Sequence, residues 1–368
     1  MHKLGGLTFH ASHNYGSVLQ AFALQQFIKL HFPNIDYHII NFRSENQKRI
    51  YNTFFDIHSI SKSIFRLFYL IPLKKKLNKF ENFISSELDI TEELNSLTEF
   101  DNFDFYLSGS DQIWNSTCKD TSWHYYLDFV PGNKRKIAFA ASFGPSTNNI
   151  NKHDQQKIKS LVERYDFLSV RENESKIFLE KLGLKKNIEV LCDPTLLLDK
   201  ETWYNLLIRN NHYKIPKEKY ILFYPLNTTL SSYKYVKKIE KLLGLKVITT
   251  LPKFKQDFFG FYKNMFDVGP IDFLSLIMNA ELVISTSFHG CVFSSIFNKP
   301  FFALDVINDN RIQNFLSQFG MEDRNLNSKT VSDEFILNMY KNTNFAAFNQ
   351  NIQETRKRAY EFLKISLS

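Results

Sequence analysis

Cysteine is scarce in this sequence of 368 residues, which contains only Cys118, Cys192 and Cys291. No two of them form a CxxC pair, so the sequence supports neither a zinc site of paired thiolates nor a disulfide framework. Reduced thiols in a cytosolic enzyme are the simpler expectation. Neither a metal ion nor a bound cofactor is predicted.

Long apolar runs are lacking as well. The opening residues, MHKLGGLTFHASHNYGS, include no apolar segment typical of a signal peptide. No run elsewhere reaches the length that a membrane-spanning helix needs. The sequence therefore predicts a cytoplasmic protein that is soluble or rests on the cytosolic face of a membrane.

Glycine is also low, with 12 residues against 37 phenylalanines, so large side chains are expected to fill the cores. The formal net charge is +8, from 46 basic and 38 acidic residues, which favours an anionic partner without identifying it. A compact basic and aromatic motif typical of nucleic-acid binding is absent, and nucleic acid is not a predicted partner. A phosphorylated small molecule or lipid fits the charge balance.

The order of the apolar segments predicts an α/β protein. Strands at 3–9 and 37–41 flank an apolar helix at 17–30, and such a βαβ start predicts a parallel sheet with ligands at the carboxyl ends of its strands. A second β/α series follows the polar, Pro-containing stretch 210–219. Because the chain is longer than one core usually holds, we predict two Rossmann-like open-sheet domains facing a cleft.

The predicted domains are an N-terminal α/β domain at 1–210 and a C-terminal α/β domain at 211–330. The N-terminal domain includes a basic helical insertion at about 43–90. Helices at 331–368 are expected to pack back on the N-terminal domain.

The insertion differs in character from its surroundings. Residues 43–79 carry nine Lys or Arg against Glu45 and Asp56, and apolar residues from Ile60 to Ile71 fall on one helical face before Pro72. A basic amphipathic helix can lie on an anionic membrane surface. More often it is a solvated insertion whose apolar face packs on its own domain, and we favour that interpretation.

Three polar segments follow predicted strands in the N-terminal half. The first is the loop HNYG at 13–16, and the second is SGSDQIWN at 108–115, whose carboxylate, amides and indole suit hydroxyl or sugar recognition. The third begins at Arg171, whose planar charged group is expected to point at an anionic ligand. Each has a structural alternative: a βα turn, a capping Asp111 and a surface Arg–Glu pair. Asp193, before a proline, is interpreted mainly as a turn former.

The most informative stretch is Glu281 to Asp305, ELVISTSFHGCVFSSIFNKPFFALD. It predicts a buried strand, a small polar turn carrying His289 and Gly290, a buried helix from Cys291 and a further strand. The first backbone N–H groups of that helix, with one imidazole, can hold an anion. Taken alone, His289 is better interpreted as an ordinary turn histidine beside a packing glycine.

Four segments in order, NYGSVLQAFALQ, GSDQIWN, SVREN and STSFHGCVFSSIFNKPF, resemble the polysaccharide pyruvyl transferase family. The resemblance extends over both predicted domains, from about Asn14 to Arg311. It implies a fold of the glycosyltransferase B type, with the N-terminal domain on the acceptor side and the C-terminal domain on the donor side. It implies a bacterial enzyme that uses phosphoenolpyruvate as co-substrate. The enzyme would add a pyruvyl group as a cyclic ketal across two hydroxyls of a sugar in a surface polysaccharide, such as a capsule or exopolysaccharide, or in its lipid-linked precursor.

The resemblance also implies site residues. His289 would be the acid that protonates the methylene or the departing phosphate, and Asp111 would be the base or orienting group for the acceptor hydroxyl. Arg171 would hold the donor anions. The other predicted substrate-binding residues are Asn14, Tyr15, Gly16, Ser110, Gln112, Trp114, Ser287, Phe288, Gly290 and Arg311.

One position departs from the family. Some members have an arginine two residues before the histidine, where this sequence has Ser287, and Arg311 is the expected replacement. Two alternatives therefore stay open: a nucleotide-sugar-dependent glycosyltransferase of the same fold and a non-catalytic carbohydrate-binding protein.

Overall fold

The computed structural model describes the backbone of residues 1–48, 63–94, 97, 102–118, 120–144, 147, 150–210, 215–226, 229–251, 263–306, 309–326 and 331–368. Within that part, the side chains of 63–69 are not described. The strands are β1 (His2–Leu7), β2 (Ile35–Ile39), β3 (Phe105–Ser108), β4 (Arg135–Ala141), β5 (Phe167–Val170), β6 (Glu189–Val190), β7 (Tyr220–Tyr224), β8 (Lys246–Thr249), β9 (Lys263–Asn264), β10 (Leu282–Ser285) and β11 (Phe301–Ala303). The α-helices are α1 (Tyr15–His31), α2 (Ser63–Glu87), α3 (Lys152–Val162), α4 (Asn173–Lys181), α5 (Lys200–Arg209), α6 (Leu230–Leu243), α7 (Pro270–Asn279), α8 (Phe288–Ile296), α9 (Asn310–Gln318), α10 (Asp333–Lys341) and α11 (Ala346–Ser366).

The chain divides into two compact units. The first contains residues 1–58, 84–198 and 354–368, and the second contains 59–83 and 199–353. Each unit holds one parallel sheet, which confirms the α/β prediction. Strand order is β2-β1-β3-β4-β5-β6 in the first unit and β11-β10-β7-β8-β9 in the second.

The division differs from the predicted domains at three places. Helix α2 up to Phe83, predicted as part of an insertion in the N-terminal domain, belongs to the second unit. Helix α5 belongs to the second unit, because its Trp203 is fully buried and its ring lies 5.0 Å from that of Phe293. Helix α10 also belongs to the second unit, because its Ile336 is part of the hydrophobic core of that unit. Only residues 354–368 join the first unit, where Arg356 donates hydrogen bonds to the carbonyl oxygens of Leu196 and Leu198.

Local sequence explains the helix that precedes the site in the first unit. Asn14 caps α1 by accepting a hydrogen bond from the Gly16 N–H, which satisfies one of the free donors of the first turn. The helix that follows is apolar on most sides and buried along most of its length. Helix α1 is therefore held rigidly, and its first turn faces the carboxyl ends of the sheet.

The basic helical insertion predicted at about 43–90 includes one described α-helix, α2. Helix α2 continues through Pro72 to Glu87. The residues after the proline supply a new apolar face, with Leu73, Phe80 and Phe83 buried. The apolar face that could lie on a membrane includes Ile71, which is exposed. Its other residues cannot be placed: Ile60 lies outside the described residues, and the side chains of Ile64, Leu67 and Phe68 are not described. Across the described part of the chain, no helix combines the length and apolar character needed to cross a bilayer.

Candidate functional site

A pocket of about 260 Å³ lies in the first unit, at the carboxyl ends of β1 and β3. The loop after β1, the first turn of α1 and the loop after β3 line it. The lining residues are Phe9, Ser12, His13, Asn14, Ser17, Asp111, Gln112, Cys118 and Asp120. Of the predicted site residues, the structure therefore brings Asn14, Asp111 and Gln112 together.

Asp111 is the most constrained side chain of this pocket. Its backbone has a φ of 72°, a left-handed conformation that aspartate tolerates better than most residues. Its Oδ2 accepts a hydrogen bond from the Ser17 hydroxyl at 2.5 Å, and its Oδ1 accepts one from the Gln112 N–H at 2.8 Å. Both carboxylate oxygens are therefore oriented by the protein before any ligand binds.

Arg171 stands behind Asp111 and is 3% exposed. Its Nε donates to Glu172 at 2.8 Å and its Nη1 to Asp193 at 2.7 Å, while Nη1 lies 3.9 Å from Asp111 Oδ1. Burial by itself would lower the pKa of Arg171, but the charges of Glu172, Asp193 and Asp111 outweigh it and raise the pKa. The Arg–Glu pair that the sequence offered as an alternative is thus part of a buried network, and the role of Arg171 toward donor anions stays a prediction.

Asp193 has two roles, because it forms a turn and also pairs with a buried charge. Its Oδ1 accepts hydrogen bonds from the N–H and hydroxyl of Thr195, as expected of a turn former. Its Oδ2 binds Arg171, a role that the sequence did not reveal because the two residues are distant in the chain.

Trp114 is not part of the pocket, which corrects the predicted sugar-binding role. The indole has no exposed surface and stacks on Tyr126 at 5.1 Å, with an angle of 5° between the rings. Its Nε1–H donates to the carbonyl oxygen of Tyr125. Ser110 is likewise buried, and its hydroxyl donates to the carbonyl oxygen of Ala140. Tyr15 is buried, and Gly16 lies within α1.

Asp120 also lines the pocket and was not among the predicted site residues, whereas His13 belongs to the predicted loop at 13–16. The Ser12 hydroxyl donates to Asp120 Oδ2 at 3.3 Å. The pKa of Asp120 is raised, mainly by burial and also by the negative charge of Asp111. The hydrogen bond from Ser12 and the charge of His13 lower this pKa but do not cancel the effect of burial. Asp120 lies in a loop without hydrophobic periodicity, so nothing in the sequence marked it, although His13 directly precedes the NYGS string.

In the second unit, the carboxyl end of β10 leads straight into α8. His289 and Gly290 lie within the first turn of this helix, not in a preceding turn as predicted. Ser287 is the N-cap residue, but its side chain makes no capping hydrogen bond. The first N–H groups of a helix carry partial positive charge, and with His289 they can hold an anion.

The small residues before α8 form a buried hydrogen-bonded turn. The Ser285 hydroxyl donates to the carbonyl oxygen of Tyr224 at 3.0 Å and accepts from the Ser287 N–H at 3.0 Å. The rings of Phe288 and His289 meet edge to face at 5.0 Å. This packing fixes the direction in which β10 enters α8.

Arg311, the expected replacement cation, has an internal partner. Its Nε and Nη2 bind the two carboxylate oxygens of Asp309 at 2.9 and 2.6 Å, a bidentate pair. Asp309 also accepts from the Arg311 N–H at the start of α9. A ligand anion would therefore have to compete with Asp309 for this guanidinium.

The family profile of polysaccharide pyruvyl transferase matches residues 14–308. The chain belongs to the polysaccharide pyruvyl transferase family. It is therefore a transferase of polysaccharide biosynthesis with a sugar acceptor. A search of curated protein sequences finds no match.

Solved structures agree with the fold of this pyruvyl transferase family member. A UDP-N-acetylglucosamine 2-epimerase structure is 13% identical, with 99% of this chain and 95% of that chain covered and a TM-score of 0.53. The structure of MnaA from S. aureus with UDP is 11% identical, with 97% and 91% covered and a TM-score of 0.50. At such low identity these likenesses show the fold alone, which is of the glycosyltransferase B type.

The predicted residues of the pyruvyl transferase site divide between the units. Asp111 and Arg171 belong to the first, whereas Ser287, His289 and Arg311 belong to the second. The convergence of His289 and Arg171 on one small anion stays a prediction.

We predict that position 290 tolerates no side chain. This favours a role of Gly290 in packing over its predicted role in substrate binding. A Cβ there would collide with the Ser285 hydroxyl, lie 2.8 Å from Ser285 Cβ and 3.0 Å from the Tyr224 ring. We expect Gly290→Ala to lower the free energy of unfolding by about 1–3 kcal/mol, as overpacking does. Chemical denaturation measures it. Gly132→Ala is the control, because nothing lies within 4 Å of its added Cβ, and an equal loss in both variants would contradict the packing role.

Proposed function

We propose that this transferase moves the enolpyruvyl group of phosphoenolpyruvate onto two hydroxyls of a sugar, forming a cyclic ketal and releasing phosphate. The pocket around Asp111 is the observation that carries the proposal, because it presents oriented carboxylate oxygens in a space of about 260 Å³. Pockets for drug-sized ligands begin at roughly 300 Å³, so this space suits one sugar ring. Family membership supports the reaction class.

The reaction needs an acid, a base and positive groups for the donor. His289 is the proposed acid, and the N–H groups at the start of α8 are the proposed phosphate ligands. Asp111 orients the acceptor. Phosphoenolpyruvate is a co-substrate, and the proposal requires no bound cofactor.

Phosphate release tests the proposal directly. Purified protein is incubated with phosphoenolpyruvate and a panel of sugars and lipid-linked oligosaccharides, and phosphate and product mass are followed. We expect release that depends on both substrates and a product carrying one ketal. Each active acceptor is matched with its analogue in which one hydroxyl of the pair is methylated; this analogue cannot close a ketal. Release that is equal without acceptor would reject the proposal.

A nucleotide-sugar-dependent glycosyltransferase is the second candidate. The fold relatives include the structure of MnaA from S. aureus with UDP, and the start of α8 can also hold a diphosphate. Thermal stabilisation separates the two functions: phosphoenolpyruvate should raise the melting temperature, whereas UDP-sugars should leave it unchanged. The reverse pattern would favour the glycosyltransferase.

Contact with the inner membrane face, where a lipid-linked acceptor would lie, is a further part of this proposal. The basic residues near α2 and the exposed Ile71 support it. Flotation with anionic vesicles is the test, and neutral vesicles are the control. Absence of co-migration would dismiss membrane contact without affecting the proposed reaction.

A further inference from the structure

The pocket holds a second carboxylate that neither the sequence motifs nor the proposed function uses. Asp120 lies beside Ser12, which donates to its Oδ2 at 3.3 Å, and its carbonyl oxygen accepts from the Ser44 hydroxyl at 3.2 Å. The loop that carries Asp120 is therefore fixed at two points. Of the pocket's two carboxylates, Asp111 is bound through both oxygens, whereas one hydrogen bond is identified for the Asp120 side chain.

We propose that Asp120 is the base that removes the proton of the attacking sugar hydroxyl, while Asp111 accepts a hydrogen bond from the neighbouring hydroxyl. The pocket would thus select an acceptor with two adjacent hydroxyls. This inference rests on the proposed function and assigns a catalytic residue to it.

The geometry separates the roles of the two carboxylates. The Ser17 hydroxyl and the Gln112 N–H hold Asp111, with Arg171 behind it, so Asp111 is suited to orienting a hydroxyl. Both carboxylates line the same pocket. A base and an orienting group on one face of a small pocket can contact two hydroxyls of a single ring.

Electrostatics favour Asp120 as the proton acceptor. Burial is the main cause that raises its pKa, and the titratable and charged groups facing it are Asp111, which raises the pKa, and His13, which lowers it. A carboxylate with a raised pKa lies closer to the working pH, where general bases act most effectively. Ser12 limits the shift through its hydrogen bond.

Every proton in the proposed reaction has a donor and an acceptor. The first hydroxyl oxygen bonds to C2 of phosphoenolpyruvate as its proton passes to Asp120, and the acid protonates the methylene to a methyl group. The second hydroxyl oxygen then bonds to C2 while the C2–O bond to phosphate breaks, and its proton leaves with the phosphate. Asp120 returns its proton to solvent, from which the acid is reloaded.

The same electrostatics give a stability signature. Because the pKa of Asp120 is higher in the folded chain than in the unfolded chain, the folded chain binds the proton more tightly at this site. Its free energy of unfolding therefore falls as the pH rises through the folded pKa. At neutral pH, Asp120→Asn should raise the melting temperature, although it removes a reacting group.

The test compares Asp120→Asn, Asp120→Glu and Asp104→Asn. Asp104 lies next to the amino end of β3 and accepts from the Lys3 N–H, which lowers its pKa, so the same substitution there should not raise the melting temperature. Turnover with phosphoenolpyruvate and a diol acceptor should fall roughly 10²–10⁴-fold in Asp120→Asn, partly recover in Asp120→Glu and stay at the wild-type value in Asp104→Asn.

The pH profile and thiol labelling complete the test. The fall of kcat/KM at low pH in the wild type should disappear in Asp120→Asn. Cys118 lines the pocket, whereas Cys192 and Cys291 are buried, so a diol acceptor should slow labelling of Cys118 more than its monomethylated analogue does. Wild-type turnover and profile in Asp120→Asn would overturn this inference alone. A wild-type enzyme that releases no phosphate would overturn the proposed function and, with it, the role of Asp120.

Discussion

Arg171→Ala is expected to lower the free energy of unfolding by about 3–5 kcal/mol, the effect of removing one partner from a buried ion pair. The guanidinium is 3% exposed and lies between the carboxylates of Glu172 and Asp193, which are 4% and 0% exposed. Without it, these carboxylates would stay buried next to one another and to Asp111. Since water cannot solvate these buried carboxylates, the substitution should destabilise the folded state much more than the unfolded state.

Urea unfolding monitored by circular dichroism gives the measurement, with Arg209→Ala as the control. Arg209 is exposed at the end of α5, so its removal should change stability by less than about 1 kcal/mol. Arg171→Lys should fall between the two, because an ammonium keeps the charge but cannot reproduce the two directed hydrogen bonds. Equal stability of Arg171→Ala and the wild type would show that the buried network contributes little.

His289→Ala is expected to lower turnover by roughly 10²–10⁴-fold, the range associated with a positioned acid. His289 is 7% exposed and occupies the second position of α8, beside the helix N–H groups proposed to bind phosphate. As imidazolium it would protonate the enolpyruvyl methylene, and no backbone group there can replace that proton. Phosphate release at saturating phosphoenolpyruvate and acceptor measures the effect.

His153→Ala provides a matched control for this experiment. His153 also occupies the second position of a helix, α3, but is exposed to solvent. Its replacement should leave turnover unchanged, and the melting temperature of both variants shows whether the fold is intact. Near-normal turnover in a folded His289→Ala protein would remove His289 from the role of acid.

Much of the fold was predictable because the strands are short and strongly apolar. The predicted strands at 3–9 and 37–41 differ from β1 and β2 by one or two residues at each end. The errors arose where tertiary contacts outweigh local preference. Helix α2 passes Pro72, and the residues after the proline supply a new buried face, whereas α8 begins earlier than its apolar run because a polar turn precedes it.

The motifs located the carboxyl ends of the strands but did not distinguish exposed from buried polar groups. Asp111 and Gln112 line the pocket, whereas Trp114, from the same string, packs in the core against Tyr126. Trp114 lies only two residues after Gln112 and three after Asp111, and such short separations along a loop leave the direction of a side chain undetermined. Asp120 was missed for the same reason, since no periodic pattern orients an irregular segment.

The sequence by itself determined two parallel-sheet domains, membership of a family and the strand ends at which its polar residues gather. Each of these depends on local order along the chain: apolar runs, breakers and short strings. The tertiary structure alone decided that Arg171 and Arg311 are paired with protein carboxylates, and that Asp120 and His13 share a pocket with Asp111. These contacts join residues that are far apart in the sequence or whose positions depend on the conformation of a loop. Their energies depend on burial, which only the folded chain defines.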